Sequence, residues 1–142
     1  MTSELYQRKL LSAEDAAETV ASGSTVFLPG GAITPIDFGN ALGGLIGRRE
    51  NIRLMTYLPL EDLTVFSAPN AGSTFTIEAA FYNRILQGPA SRDTCSFVPN
   101  HLRNISRDWG WAVSEIDLMV VTVSPMDKHG WFTMCGSAIM EQ

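Results

Sequence analysis

Ile116-Asp117-Leu118-Met119-Val120-Val121-Thr122-Val123 runs directly into Ser124-Pro125-Met126-Asp127-Lys128-His129-Gly130-Trp131-Phe132. Apolar and β-branched residues on both faces of the first segment predict a central parallel strand buried from both sides, although a buried helical segment can show the same unbroken apolarity. Pro125 has no N–H to give a ladder and holds Ser124 extended, so pairing is expected to stop there and give way to a polar loop ending at Gly130. Open α/β sheets bind ligands beyond the carboxyl ends of their strands. A Ser, an Asp, a Lys and a His at such an end therefore become functional candidates.

The chain upstream supplies the alternation that such a strand requires. Ser12 is an N-cap candidate for an acid-led, alanine-rich helix over 13–21, with Leu11 as a staple over its first turn and Ser22-Gly23 as the stop. Ser24–Leu28 reads as a strand, and Pro29-Gly30-Gly31-Ala32-Ile33-Thr34-Pro35 as a small-residue loop in which Thr34 caps a helix starting at Pro35. That helix runs to about Gly47, and Asn51–Tyr57 alternates like a strand. Leu58–Gly72 reads as loop with one helical turn, Ser73–Ile77 as extended, and Glu78–Leu86 as helix ending at Gln87-Gly88-Pro89. Thr94–Val98 is a further strand, Asn100 a cap for a helix to Ser106 or Trp109, and Trp131–Met134 a last strand. Strands alternating with helices give an α/β domain with an open, mostly parallel sheet and flanking helices.

The 142 residues, 45% of them hydrophobic, are enough for one domain with a core and too few to expect two. A net charge of −5 with scattered arginines argues against a nucleic-acid partner. Arg48, Arg49 and Arg53, and Arg103 with Arg107, read as solvated faces or helix ends. No apolar run approaches the roughly 18 residues of a membrane span, and the polar start of the chain has no signal-like core, so a cytoplasmic protein with Cys95 and Cys135 reduced is expected. Both cysteines read as small core residues, and Trp109, Trp111 and Trp131 as core or interface residues.

Two loops carry the candidate chemistry. The strand, glycine-rich loop and helix over Val26–Ile46 could offer backbone N–H groups to an anion or oxyanion, or could be an ordinary tight βα turn. Gly30-Gly31 lacks the third glycine of a dinucleotide fingerprint, and no Gly-Lys-Ser/Thr follows; a small nucleotide-binding protein is the weaker option. Asp127 and His129 could form an acid/base pair, or Asp127 could hold a turn by accepting nearby backbone N–H groups. His101, His129, Cys95 and Cys135 show no zinc-ligand spacing, and no metal is expected.

Val121-Thr122-Val123-Ser124-Pro125-Met126-Asp127-Lys128-His129-Gly130-Trp131-Phe132 resembles the strand-and-loop signature in the N-terminal half of the acetyl-CoA hydrolase/transferase family, which includes 4-hydroxybutyrate CoA-transferase. Ser12–Ala17 leading to Ser22-Gly23, and Gly30–Pro35 leading to Asn40-Ala41-Leu42, agree in order and spacing. Ser24 departs from the aspartate common there, and Met134-Cys135-Gly136 holds one residue more than the usual run. The resemblance implies the N-terminal domain of a two-domain enzyme that moves CoA between a short-chain acyl-CoA and a carboxylate, or hydrolyses the thioester. It also implies a homo-oligomer, no permanently bound cofactor, and a coenzyme A thioester as substrate. The nucleophilic glutamate is expected in a second, C-terminal domain and on none of this chain's glutamates, so the chain alone is expected to be catalytically silent. Gly30, Gly31, Thr34, Pro35, Ser124, Asp127 and His129 are then expected to line the cleft facing that domain. The stop at Gln142, soon after a strand, fits the expectation of a truncated unit; a non-catalytic domain that pairs with a glutamate-bearing subunit, or a binding module, is the alternative.

Overall fold

The computed structural model describes residues 2–91, 93–104 and 115–136. Ten elements follow one another: α1 (Thr2–Lys9), α2 (Ala13–Glu18), β1 (Thr25–Leu28), α3 (Ile36–Ala41), β2 (Ile52–Thr56), α4 (Thr64–Ser67), β3 (Phe75–Ala79), α5 (Gln87–Ser91), β4 (Cys95–Phe97) and β5 (Leu118–Met119). The five strands form one sheet in the order β4-β3-β2-β1-β5, and every pairing is parallel. This is the α/β class that the alternating pattern predicted.

Local chemistry explains most of the boundaries. The Ser12 hydroxyl oxygen accepts the Asp15 N–H at 3.0 Å, capping α2, while Leu11 stays exposed and forms no staple. Gly23 takes the left-handed backbone (φ 82°) in the turn leading to β1. The stretch after Pro35 is shorter in α form than its apolar spacing predicts: α3 ends at Ala41 and tightens into a 3₁₀ turn over Leu42–Leu45, where two adjacent glycines weaken the helix.

β1 and β2 are buried on both faces, whereas β4 and β5 are partly exposed. Val26, Leu28, Ile52, Leu54, Phe75 and Ile77 pack beneath α2, α3 and α4 with Ala17, Phe38, Leu42 and Phe66 in one core. Phe27, Met55, Tyr57 and Ala80 form a smaller cluster with Leu58, Val98 and Ile116. Each fully buried Leu, Ile or Phe contributes about 1.5–3 kcal/mol of transfer free energy, so the six core strand residues named first dominate the stability of this sheet.

Several expectations are corrected. Glu78–Leu86 is not one helix: Glu78 and Ala79 continue β3, in register with Met55 and Thr56, and helical structure starts only at a 3₁₀ turn over Arg84–Leu86 that leads into α5, through the expected stop at Gln87-Gly88-Pro89. Pairing with a distant strand outweighs local propensity there. Ile116–Val123 is not a central strand. Only Leu118 and Met119 enter the ladder, against β1 alone, so β5 is a half-exposed edge strand among the described residues. Trp131–Met134 adds no strand and contributes one bridge, Val123 to Met134. The helix expected from Asn100 is described only to Asn104, with a 3₁₀ turn over Leu102–Asn104; Arg107, Trp109 and Trp111 lie outside the described residues.

Ile77 has no exposed surface in β3, which is paired on both edges. Ile77→Ala is expected to cost about 2–5 kcal/mol, read as a lower urea midpoint at unchanged slope. A loss below about 1 kcal/mol would contradict this packing.

Candidate active-site wall at the sheet's carboxyl edge

Strand order reverses at β1. The strand that follows it in sequence, β2, lies on one side, and the last, β5, lies on the other. Such a reversal opens a crevice beyond the carboxyl ends of the two strands, the usual ligand position in open α/β sheets. The loops leaving β1 and β5 are the two that the sequence singled out, so the fold brings Gly30, Gly31, Thr34 and Pro35 to one side of the reversal and Ser124, Asp127 and His129 to the other.

The glycine pair answers to packing. A Cβ on Gly30 would lie 1.7 Å from the Tyr57 carbonyl oxygen and 2.4 Å from that of Leu58. Gly31 takes φ 67° and donates its N–H to the Leu58 oxygen at 3.0 Å. That N–H is spent on a backbone partner, which removes it from the donors an anion could use. Leu58 itself is held at φ 36°, a left-handed conformation costing a branched side chain about 1–3 kcal/mol. Thr34 does not cap the following helix. Its hydroxyl donates to the Gly31 oxygen at 2.8 Å, and Pro35 stands at the N-cap position, with α3 beginning at Ile36.

The second loop is anchored by two residues that sequence reading passed over. The Asp117 carboxylate accepts the Thr25 N–H at 2.8 Å, and the Asp117 N–H donates to the Thr25 oxygen at 3.0 Å. Beyond β5, Thr122 donates its N–H to Ile33 and its hydroxyl to Thr34, both at 3.1 Å to carbonyl oxygens. These bonds stitch the second loop to the first. An aspartate interrupting an apolar run was the one available signal; nothing local marked Thr122.

Ser124 and Asp127 build a hairpin. Ser124 donates its N–H to the Thr133 oxygen at 2.9 Å, its hydroxyl oxygen accepts the Thr133 N–H at 3.0 Å, and its hydroxyl donates to the Pro125 oxygen at 3.1 Å. Asp127 Oδ1 accepts the N–H groups of His129 and Trp131, each at 2.8 Å. Asp127 is therefore bonded to the backbone of His129, and the turn-holding alternative describes it better than the acid/base pair. The His129 side chain is exposed. Trp131, expected in a core or interface, is 71% exposed, and Phe132 rests against Tyr6 with ring centres 5.8 Å apart.

Charge is used elsewhere. Arg53, expected on a solvated face, forms a bidentate pair with Glu78 (2.9 and 2.8 Å) and reaches Glu115 at 3.1 Å. The Glu78 hydrogen bond leads in raising the guanidinium above its ordinary value. Arg48 and Arg49 both meet Glu18 on the surface. Burial pushes the Cys95 thiol up to about 11, whereas Cys135 is exposed and belongs to no core. Among the described residues no three His, Cys, Asp or Glu side chains group as a metal site, and no helix is long and apolar enough to cross a membrane.

A family model described as the acetyl-CoA hydrolase/transferase N-terminal domain matches residues 2–141. The chain belongs to the acetyl-CoA hydrolase/transferase family. It is 29% identical over 133 residues to a succinyl-CoA:cyclohexane-1-carboxylate CoA transferase of Geobacter metallireducens, covering 90% of this chain and 29% of that protein. A butyryl-CoA:acetate CoA-transferase of Anaerostipes caccae is 23% identical, with 95% of this chain and 30% of that protein covered. The chain thus spans under a third of the length of these relatives. Among solved structures, RipA from Yersinia pestis superposes with a TM-score of 0.73 at 23% identity, over 94% of this chain and 33% of that one. A 4-hydroxybutyrate CoA-transferase from Porphyromonas gingivalis gives 0.61 at 18%, over 92% and 28%. Both establish the CoA-transferase N-terminal fold for this family member.

Three outcomes follow from this geometry. A neutral Cys95 thiol at pH 8 is expected to resist iodoacetamide while Cys135 is alkylated, with Cys95 labelling accelerating towards pH 11; equal labelling at pH 8 by peptide mass spectrometry would refute the burial. Because the folded thiol titrates above its ordinary value of 9.0, the fold also loses stability as pH climbs through that interval. Thr122→Val removes the hydroxyl bond to Thr34 and is expected to cost about 1 kcal/mol. Faster amide exchange is expected at Ser124 and Thr133, with β2 and β3 unchanged; uniform acceleration would argue against a locally stitched loop.

Proposed function

We propose that this chain forms one wall of a CoA-transferase or acyl-CoA hydrolase site whose nucleophilic glutamate stands on a second, C-terminal domain. The observation that carries the reading is the placement of both candidate loops at the strand-order reversal, joined through Thr122, in a chain belonging to this family. The relatives transfer CoA between acyl groups, and short-chain acyl-CoA with a small carboxylate acceptor is the substrate class proposed here.

The chemistry would run as follows. A glutamate carboxylate of the second domain attacks the thioester carbonyl, the C–S bond breaks, CoA leaves as thiolate, and a mixed anhydride of the glutamate and the acyl group remains. The thiolate attacks the glutamyl carbonyl, releasing the first carboxylate and leaving a glutamyl-CoA thioester. An acceptor carboxylate repeats the sequence in reverse and departs as the new acyl-CoA; water in its place gives hydrolysis. The residues of this chain shape and dry the cleft. Gly30 and Gly31 let the first loop lie flat against the Tyr57-Leu58 backbone, and Ser124 and Asp127 hold the hairpin that presents His129. In the second reading the same wall is offered in trans to a separately encoded, glutamate-bearing subunit.

A purified chain ending at Gln142 is expected to exchange no CoA between butyryl-CoA and labelled acetate. Supplying a glutamate-bearing second domain should restore exchange, and a glutamate-to-alanine change in that domain should remove it. Exchange by the 142-residue chain alone would sink the proposal.

A further inference from the structure

Among the described residues the two edges of the sheet differ in what they expose. The turns leading into β1, β2 and β3 present Ser22, Arg48, Glu50 and Ser73 to solvent and hold no exposed large hydrophobic side chain. The carboxyl edge carries two apolar ridges instead. Leu60 after β2, Phe81 and Tyr82 after β3, and Phe97 at the end of β4 are each between 41% and 56% exposed. Contacts join them into one surface: Tyr82 lies against Phe97 with ring centres 6.2 Å apart, and the Asn83 side-chain amide donates to the Pro59 oxygen, next to Leu60. The second ridge is the hairpin after β5, where Trp131 and Phe132 stand open to solvent. β1 lies between these strands in the sheet, so its exit loop, Gly30–Pro35, runs between the ridges.

An aromatic side chain offers about 150–250 Å², so each half-open ridge amounts to roughly 300 Å² of apolar surface. Two such patches flanking one crevice mark an interaction face, and together they reach the lower end of an inter-domain interface, about 600–1,500 Å². Resting on the cleft reading, we infer that the two ridges are the docking surface for the glutamate-bearing second domain, which sits on both and roofs the crevice between them. This chain spans under a third of the length of its CoA-transferase relatives, which leaves more than two thirds of a relative to supply such a partner. A second copy of this chain would close the crevice with an identical wall, whose Thr34, Ser124 and Asp127 side chains are already bonded internally. A net charge of −5 sets the molecule against nucleic acid and anionic lipid. Trp131, the most exposed of the aromatics, is the anchor, since large aromatics near the centre of an interface carry most of its energy.

The test is hydroxyl-radical footprinting, read by peptide mass spectrometry, of the 142-residue chain alone and mixed with the second domain of the Geobacter relative, whose own fold is confirmed by circular dichroism. Tyr82, Phe97 and Trp131 are expected to be oxidised readily in the free chain and about tenfold more slowly in the mixture, with the turns into β1 and β2 unchanged. Trp131→Ala is expected to weaken association by about thirtyfold and Phe97→Ala by about tenfold, whereas Arg48→Ala, at the opposite edge, leaves it unaltered. All three side chains are exposed, and circular dichroism matching the parent shows that each variant is folded. Protection confined to the amino edge or to α2–α4, or association that survives Trp131→Ala combined with Phe97→Ala, would overturn the inference. Protection of the ridges in the chain alone that grows with its concentration would overturn it too, by assigning them to a second copy. The cleft reading fails separately: ridges protected by the second domain without any CoA exchange would count against that reading and leave the docking surface standing. Exchange restored while both ridges stay oxidised would do the reverse.

Discussion

The parallel pairing of β1 on both of its edges is the constraint from which the rest of the carboxyl edge follows. Four consecutive residues, Thr25–Leu28, are buried: β2 and β5 enclose the strand's two edges, and the apolar clusters on its two faces take Val26 and Leu28 on one side and Phe27 on the other. A strand so enclosed can only leave the sheet upward between its neighbours. Its exit loop is therefore pressed onto the β2 exit, with Gly30 against the Tyr57 and Leu58 carbonyls and Leu58 twisted into left-handed backbone to receive the Gly31 N–H. The glycine pair reads locally like an anion cradle and works here as a backbone-to-backbone contact.

β5 is held by a different kind of force. It contributes two ladder residues, and the hairpin beyond it leaves Val123, Trp131, Phe132 and Met134 exposed, so apolar burial supplies little of its adhesion. Polar bonds stand in: Asp117 to Thr25 at the amino end, Glu115 to Arg53 beside it, and Thr122 to Ile33 and Thr34 at the carboxyl end. Elements with few buried contacts open locally at lower free energy than the core. The second loop is thus registered precisely enough by directional bonds to face the first, yet is energetically separable from β2 and β3.

Much of this was legible in the chain itself. Ser12, the short strand before Gly30-Gly31, the alternation over Asn51–Tyr57 and the Ser124–Gly130 loop all announce themselves through residues acting on near neighbours: a cap, a turn, a period, a proline stop. What could not be read depends on partners far away in sequence. Glu78 sits in a stretch of good helix formers and is a strand residue because β2 and Arg53 claim it. The apolar run over Ile116–Val123 is long enough for a central strand, but the described residues give it only one neighbour. Thr34 looks like a cap until its hydroxyl turns back to Gly31.

The polar atoms of the two loops also bear on where catalysis must reside. Ser124 donates and accepts within its own hairpin, Asp127 Oδ1 receives two backbone N–H groups, and the Gly31 N–H and the Thr34 hydroxyl have backbone partners. A nucleophile or general base needs a lone pair aimed at substrate and a neighbour to activate it. Of the seven cleft candidates, only His129 keeps a reactive side chain exposed and outside this lattice of internal bonds, and no described carboxylate orients its ring. Groups spent on holding a surface in shape are well suited to be that surface. A wall so built gains chemistry when a separately positioned carboxylate faces it, and the proposed division between a first domain that supplies the wall and a second that supplies the glutamate accords with these internally bonded loops.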